Sequence, residues 1–512
     1  VPQPILPRNT KEHPAMTDAM TAYDRLIAHV RQTTALDQVS GVLMWDQEVV
    51  MPPDGAAQRA EQAAALKTAA HERKTDPLIA DWLAALDGAE LPAAAARNVA
   101  LISRAHARAT RVPAALAGAL AHAASTGWGV WVAARAANRF ADFAPTLERM
   151  VALKREHAAA MAAPGQGLYD ALLDEFEPGM TGAVLMPMLE GLRAPLSELR
   201  AAIAASGRQM PTPRGHFPAA AQLALSKTVA TAFGYRLSAG RIDLTVHPFC
   251  VGSGKDVRIT TRVDEDDPLG CLFSVIHEVG HAVYNQNMPE ATLLEPAGQY
   301  ASMGVHESQS RMLENQIGRS AAFSEWLAPH FRESFGDTGL ADADALYRAL
   351  NRVETGCIRT EADEVHYNLH ILLRTRLEAD LIEGRLEVSD LEEAWNDAFQ
   401  RDFGVPVPDA ARGVLQDTHW SQGLFGYFPT YSLGNIYAAE LFAAMRAEIP
   451  GIDGLIAEGD FGPLTDWLTE KVHARAATVP PEQIVAQAIG RAPGPEALVS
   501  YLQAKFGALY GI

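Results

Sequence analysis

At 512 residues the chain is long enough to bury a large core, and its formal net charge of -19 argues against nucleic acid and anionic membrane surfaces as partners. Alanine is abundant, aromatic residues make up only 7% and strand-like runs are rare, which favours a mostly helical protein. Cys250, Cys271 and Cys357 are widely spaced and form no C-x-x-C pair, which excludes a disulfide framework and fits a reducing cytoplasm; no apolar run reaches membrane-spanning length.

Residues 1–15 carry several prolines and mixed charges but no apolar segment of a signal peptide. They read as a leader or remnant, poorly ordered, with Met16 or Met20 as a plausible natural start. Residues 16–512 read as one domain, without internal repeat, low-complexity tract or linker. A helical pattern from Tyr23 to about Val50 ends in Trp45-Asp46-Gln47, followed by the turn signal Met51-Pro52-Pro53-Asp54-Gly55. Trp45 and Asp46 read as structural groups at that helix end. Helices follow over 56–71, 76–86 and 93–110. The pattern over 128–162 predicts one long helix or two, interrupted near Pro145. The acidic cluster within 168–179, which includes Asp174, Glu175 and Glu177, reads most simply as a solvated helix terminus, with a role in shaping a cleft as the alternative. Further helices are expected over 181–206 and 218–233.

The one β-rich stretch is 240–263, with strands over 241–246 and 256–263 and a turn at Gly252-Ser253-Gly254. It is either a small covering hairpin or a sheet edge on which an extended peptide can lie. Next, Asp267-Pro268 reads as N-cap and first residue of a helix bearing His277-Glu278-Val279-Gly280-His281. Two histidines four residues apart share one helix face and can hold one metal ion, while the intervening Glu278 is displaced toward a water on that ion.

A catalytic site of this kind needs a third protein ligand and an open position. Position 287 is Asn, so a third histidine at the usual spacing is absent and a carboxylate is required. Glu290, Glu295, Glu307 and Glu314 are near in sequence. Glu307 is favoured because it stands on a second predicted helix, over 302–317, that can return alongside the first. Beyond it, helices are expected from Ala321, from Ala343 and over about 358–383. An irregular, aromatic-rich loop over 406–430 and a final helical segment over 433–512 complete the chain.

A set of motifs now stands in order: Trp45-Asp46-Gln47 with Met51-Pro52, His247-Pro248-Phe249, His277–His281, His306-Glu307-Ser308-Gln309, Ile358-Arg359-Thr360-Glu361-Ala362-Asp363 and Gly413-Val414-Leu415-Gln416-Asp417-Thr418-His419-Trp420, then Gly426-Tyr427-Phe428-Pro429-Thr430-Tyr431. From about Tyr23 to the end, this set resembles the carboxypeptidase Taq family of metallocarboxypeptidases. The resemblance implies a mainly helical, neurolysin-like fold of two lobes around a deep groove, usually a homodimer. It implies zinc, or cobalt in some members, held by His277, His281 and Glu307, with Glu278 as general base. It also implies stepwise removal of C-terminal residues from peptides with broad specificity. The chain departs from the family at Val365-His366, where a Leu/Val-Thr pair is commoner, and around Ala474-Arg475-Ala476, where a glycine is often seen. Residues 1–15 have no counterpart.

The chemistry calls for further groups. His419 and Tyr427 are candidate donors to the tetrahedral oxyanion, or alternatively pack their loop. Arg359 suits recognition of a free terminal carboxylate by its planar fork, with an i,i+4 pair to Asp363 as the alternative. His247 is a candidate donor at the sheet edge, with a plain structural reading beside it. Gln416 and Asp417 belong to the same candidate substrate loop, and Asp417 is a candidate for orienting a ligand imidazole.

Overall fold

The alanine-rich, proline-punctuated sequence folds into twenty α-helices and one small sheet among residues 14–512, the part that this computed structural model describes, with side chains from residue 19. The leader expected at 1–15 falls almost wholly outside the described residues. No described helix is long and apolar enough to cross a membrane.

The chain divides into two compact units. The first comprises the residues up to Thr110 together with Ala291–Gln299. It holds α1 (Pro14–Val49), α2 (Ala56–Lys74), α3 (Pro77–Ala85) and nearly all of α4 (Ala93–Arg111). Leu26, Ile79, Leu86 and Ile102 form its core. The buried Asn98 side chain accepts from the Ala297 N–H at 2.9 Å and donates to Glu295 at 3.0 Å, tying the later segment to α4. Trp45 is buried and Asp46 pairs with Arg59, in keeping with the structural reading of that helix end.

The second unit comprises Arg111–Glu290 and Tyr300–Ile512. It opens with α5 (Ala114–Ala137), α6 (Ala144–Met161), α7 (Leu168–Phe176), α8 (Gly182–Ser206) and α9 (Ala219–Ala232). The expected break in the long pattern is real but lies earlier than Pro145. Asn138, at φ 56°, caps α5 in the left-handed conformation, and Pro145 sits in the first turn of α6, where a missing N–H costs nothing.

The β-rich stretch is a three-stranded mixed sheet rather than a hairpin. Strand β1 (Gly240–Leu244) lies parallel to β3 (Asp256–Thr261), and β2 (Cys250–Ser253) pairs antiparallel on the other side of β3. Gly252 and Ser253, expected in a turn, are therefore strand residues. The sheet rests on α10 (Pro268–Asn287). Asp267 is the N-cap of α10 as expected: its carboxylate accepts from the Leu269 N–H at 3.0 Å, and Pro268 follows.

The chain then reaches α11 (Met303–Arg311), continued by a π-helical turn over Met312–Ile317. There follow α12 (Ala321–Phe335), α13 (Ala343–Leu350), α14 (Glu364–Glu383), α15 (Leu391–Phe403), α16 (Pro429–Glu448), α17 (Ile452–Glu458), α18 (Gly462–Lys471), α19 (Pro481–Ile489) and α20 (Glu496–Tyr510). Helices α10, α14 and α16 are buried on nearly every face, as expected of helices inside a large body.

Helix α11 packs between α10 and α16, and glycines make both contacts possible. A Cβ at Gly280 would stand 2.4 Å from the Ser310 Cα, and one at Gly434 would stand 2.4 Å from the Glu307 Cγ. Gly280→Ala is therefore expected to destabilise the protein by about 1–3 kcal/mol through overpacking. This outweighs the gain of about 1 kcal/mol that alanine brings to a helix. Urea titration measures the difference, and a more stable variant would mean that the two helices separate freely.

Candidate metal centre and active site

The spacing of the two histidines on α10 does what helical geometry requires: both imidazoles face α11 and meet Glu307. One Glu307 oxygen, Oε2, lies 3.6 Å from His277 Nε2 and 3.3 Å from His281 Nε2. Donors of a tetrahedral site with bonds of 2.0–2.1 Å stand about 3.3 Å apart, so the cluster has the dimensions of a divalent-ion site. The three donor atoms all lie within 4.8 Å of one another, and His277, at 21% side-chain exposure, keeps an open side.

The outer contacts fix which nitrogen is free. His277 Nδ1 donates to the Glu314 carboxylate at 2.9 Å, and His281 Nδ1 donates to the His306 carbonyl at 3.2 Å. Those oxygens accept, so each Nδ1 carries a proton and Nε2 is the nitrogen turned toward the cluster, where it offers a lone pair once its own proton is displaced. The His306 ring stacks on His281 with centroids 4.4 Å apart and holds Asn285 at 2.9 Å. Arg311 donates to Glu307 Oε1 at 2.7 Å and to Glu314 at 3.2 Å, so that Glu307 Oε2 faces the cluster, where it also accepts from the Ser310 hydroxyl at 3.0 Å. Glu314, one of the alternative candidates in the sequence, is thus the partner of the His277 imidazole.

The electrostatics point the same way. Burial disfavours a charged His277, yet Glu307 and Glu314 outweigh it and raise the imidazole to about 9. Burial would raise Glu307, yet Arg311 and the two imidazoles hold its carboxyl well below the usual range. The pocket therefore favours positive charge between His277, His281 and Glu307. Glu278, 7% exposed on the same helix, has its carboxyl raised by burial, against the lowering effect of His277 and His281. A raised carboxyl is a stronger proton acceptor when ionised.

Three segments converge on Arg359. It does not pair with Asp363, because the helix expected from Ile358 begins only at Glu364. Asp363 is the N-cap of α14, accepting from the Val365 N–H at 2.9 Å and the His366 N–H at 3.1 Å. Arg359 instead donates through Nε and Nη2 to one Asp417 oxygen, at 3.0 and 2.8 Å, and through Nη1 to Tyr367 at 3.3 Å. The other Asp417 oxygen accepts from Arg374 at 2.6 Å. Burial would raise the Asp417 carboxyl, but Arg374 and Arg359 hold it far down. Asp417 thus does not orient His277 or His281; Glu314 and the His306 carbonyl hold their Nδ1 atoms. Gln416 accepts from the Arg359 N–H at 2.9 Å and donates to the Cys357 carbonyl at 3.0 Å, so it sets the backbone of the arginine.

His419 and Tyr427 stand together in the aromatic loop, with ring centroids 5.7 Å apart. His419 Nε2 lies 3.2 Å from the Tyr431 hydroxyl, and its buried Nδ1 has no hydrogen-bond partner. Burial lowers the imidazole to about 4, against the pull of Asp417, so it is neutral near pH 7. The Tyr427 hydroxyl senses Glu307 and bonds to Tyr431. Tyr431 closes the last sequence motif without an assigned role, and Tyr367 does not stand out in the sequence. The Tyr431 ring lies 4.9 Å from the Arg359 guanidinium. Tyr367 carries no local signal, since its role arises from Arg311, 4.2 Å over its ring, and from Arg359. His247 is exposed on the link between β1 and β2, outside this hydrogen-bonded cluster.

Residues 25–506 match the model of the carboxypeptidase Taq (M32) metallopeptidases. The chain belongs to this family. It is 41% identical to thermostable carboxypeptidase 1 of Thermus thermophilus over 96% of this chain and 99% of that one. It is 34% identical to carboxypeptidase 1 of Bacillus subtilis over 94% and 96%. Among solved structures, metallocarboxypeptidase 1 of Trypanosoma cruzi superposes with a TM-score of 0.93 at 34% identity, covering 95% of this chain and 99% of that one. The M32 carboxypeptidase of Deinococcus radiodurans gives 0.91 at 36% identity, over 96% and 100%. This member of the M32 family is accordingly a metallocarboxypeptidase, a peptide hydrolase with a mainly helical fold, and its family calls for a divalent metal.

Proposed function

We propose that the protein is a zinc carboxypeptidase that removes C-terminal residues one at a time from peptides, with broad side-chain preference and with Glu278 as general base. The observation that carries the reading is the meeting of His277, His281 and Glu307 within 4.8 Å beside Glu278. Two imidazole nitrogens and one carboxylate suit zinc, and cobalt can take the same donor set. A bound divalent ion supplies Lewis-acid activation of water and of the scissile carbonyl.

The chain's own residues do the rest. Glu278 accepts a proton from the attacking water and returns it to the leaving amine. Tyr427 and neutral His419, with Tyr431, offer donors where the carbonyl oxygen gains charge. Arg359 reads the free carboxylate. Asp417 takes its Nε–Nη2 side and Tyr367 one Nη1 hydrogen, which leaves one N–H on each of Nη1 and Nη2 for the substrate. Gln416 and Asp417 act on substrate through Arg359, and His247 with the sheet offers main-chain and side-chain donors to an extended peptide. The mature protein is a cytoplasmic homodimer in this reading, in keeping with its cysteine usage and with the family.

Metal analysis combined with mass-spectrometric digestion of an unblocked peptide tests the proposal. About one zinc per chain and a ladder shortening from the C-terminus are expected. Internal fragments, or turnover that survives removal of the metal by a chelator, would overturn it.

A further inference from the structure

The acidic cluster at the end of α7 does not behave as a solvated terminus throughout. Glu177 is 1% exposed, and its carboxylate points into the protein. One oxygen accepts from the Ser302 hydroxyl at 2.9 Å and the other from the Gly304 N–H at 3.0 Å. Ser302 in turn accepts from the Val305 N–H at 3.1 Å, so serine and glutamate together cap the start of α11. Among the described residues no cation pairs with it: Tyr437 of α16 senses the carboxylate, and its own hydroxyl has no hydrogen-bond partner. Burial pushes the Glu177 carboxyl up to about 7, while its two hydrogen bonds lower it.

A buried carboxylate without a cation is costly, and Ser302 alone satisfies the usual needs of an N-cap. What Glu177 adds is a tie between α11 and an element 125 residues away. Helix α11 carries Glu307, whose Oε2 must lie within reach of both imidazoles of α10. A slip of one residue along a helix moves a side chain by about 1.5 Å and rotates it by roughly 100°, which would take Glu307 out of the cluster. We infer that Glu177 is a positioning residue of the metal centre: by holding the N-terminus of α11 it sets where Glu307 meets His277 and His281, and so sets the metal affinity. This rests on the metal site proposed above.

Glu177→Gln tests it, since the amide keeps the shape but can accept at only one end. Zinc affinity is measured on the full chain by competition with a chromophoric chelator, beside the urea midpoint of the metal-free protein. A loss of about ten- to hundredfold in affinity is expected, the range for groups that orient a ligand, with kcat of the zinc-loaded enzyme reduced and KM little changed. Leu346→Ala, in the buried face of α13, serves as a control that lowers the midpoint and leaves affinity intact. Wild-type affinity in Glu177→Gln, with a midpoint lowered as in that control, would make the contact a cap only and overturn the inference. Should that variant fail to fold, Ser302→Ala removes one of the two ties, and a severalfold loss of affinity is expected; none would overturn it. His277→Ala separates the two readings, because if it retains wild-type zinc affinity the site itself is wrong, whatever Glu177 does.

Discussion

Glu278→Gln is expected to keep the bound metal and lose about three orders of magnitude in kcat. The substitution conserves shape, and Glu278 is not one of the three converging donors, so His277, His281 and Glu307 remain as they are. What disappears is the only basic oxygen that helix α10 offers beside them. General acid–base groups contribute about 10²–10⁴-fold, and three orders correspond to roughly 4 kcal/mol in the barrier. Burial leaves the raised Glu278 carboxyl costly to ionise, so the neutral amide is not expected to weaken the fold. Elemental analysis and single-turnover kinetics on an unblocked peptide check both halves. Undiminished turnover would remove Glu278 from the mechanism. Loss of the metal would instead make it part of the ion's cage.

The parts of this site that were legible are those written in local spacing. His277 and His281 lie one turn apart on a helix whose start, Asp267-Pro268, is itself a local signal, and Glu307 follows from a helix that turns back. Glu314 could be narrowed only to a short set of carboxylates, because choosing between ligand and ligand's partner needs the distances. Arg359 shows the limit more sharply. The run Arg359 to Asp363 fits an i,i+4 pair only if the helix already exists there. The signal against it was present, since Asp363-Glu364 is an N-cap followed by an acidic first-turn residue, and an N-cap carboxylate is spent on backbone N–H groups.

Other features had no local signal. Strand β2 is four residues long and contains Gly252; only its pairing with β3 makes it a strand, and the parallel contact of β1 with β3 is equally non-local. Glu177 lies in a sequence of acids that reads as solvent-facing, and its burial depends on α11 and α16 arriving from far along the chain. Tyr367 is the same case: it stands on α14, Tyr431 stands on α16, and the two become a site only when both pack against one guanidinium.

Replacing Arg359 by methionine is expected to collapse the preference for free-acid peptides over their C-terminally amidated counterparts. Losing one partner of a desolvated charge pair costs about 2–5 kcal/mol, between roughly thirtyfold and several thousandfold in kcat/KM on the free acid. The amidated peptide has no carboxylate for Arg359 to read, so its slow cleavage should change by less than about tenfold. The fold should survive. Asp417 keeps its 2.6 Å contact with Arg374, so the buried carboxylate is not left without a cation, and the stability loss should fall below the 3–5 kcal/mol typical of a fully broken buried pair. Arg359→Lys sharpens the comparison, because it retains the charge and loses the fork that lets Asp417 take one edge and the substrate the other. An intermediate loss on the free acid is expected from it. If the methionine variant slows both peptides alike, Arg359 serves as the strut that holds Asp417 and the His419 loop, and the free carboxylate must be read elsewhere.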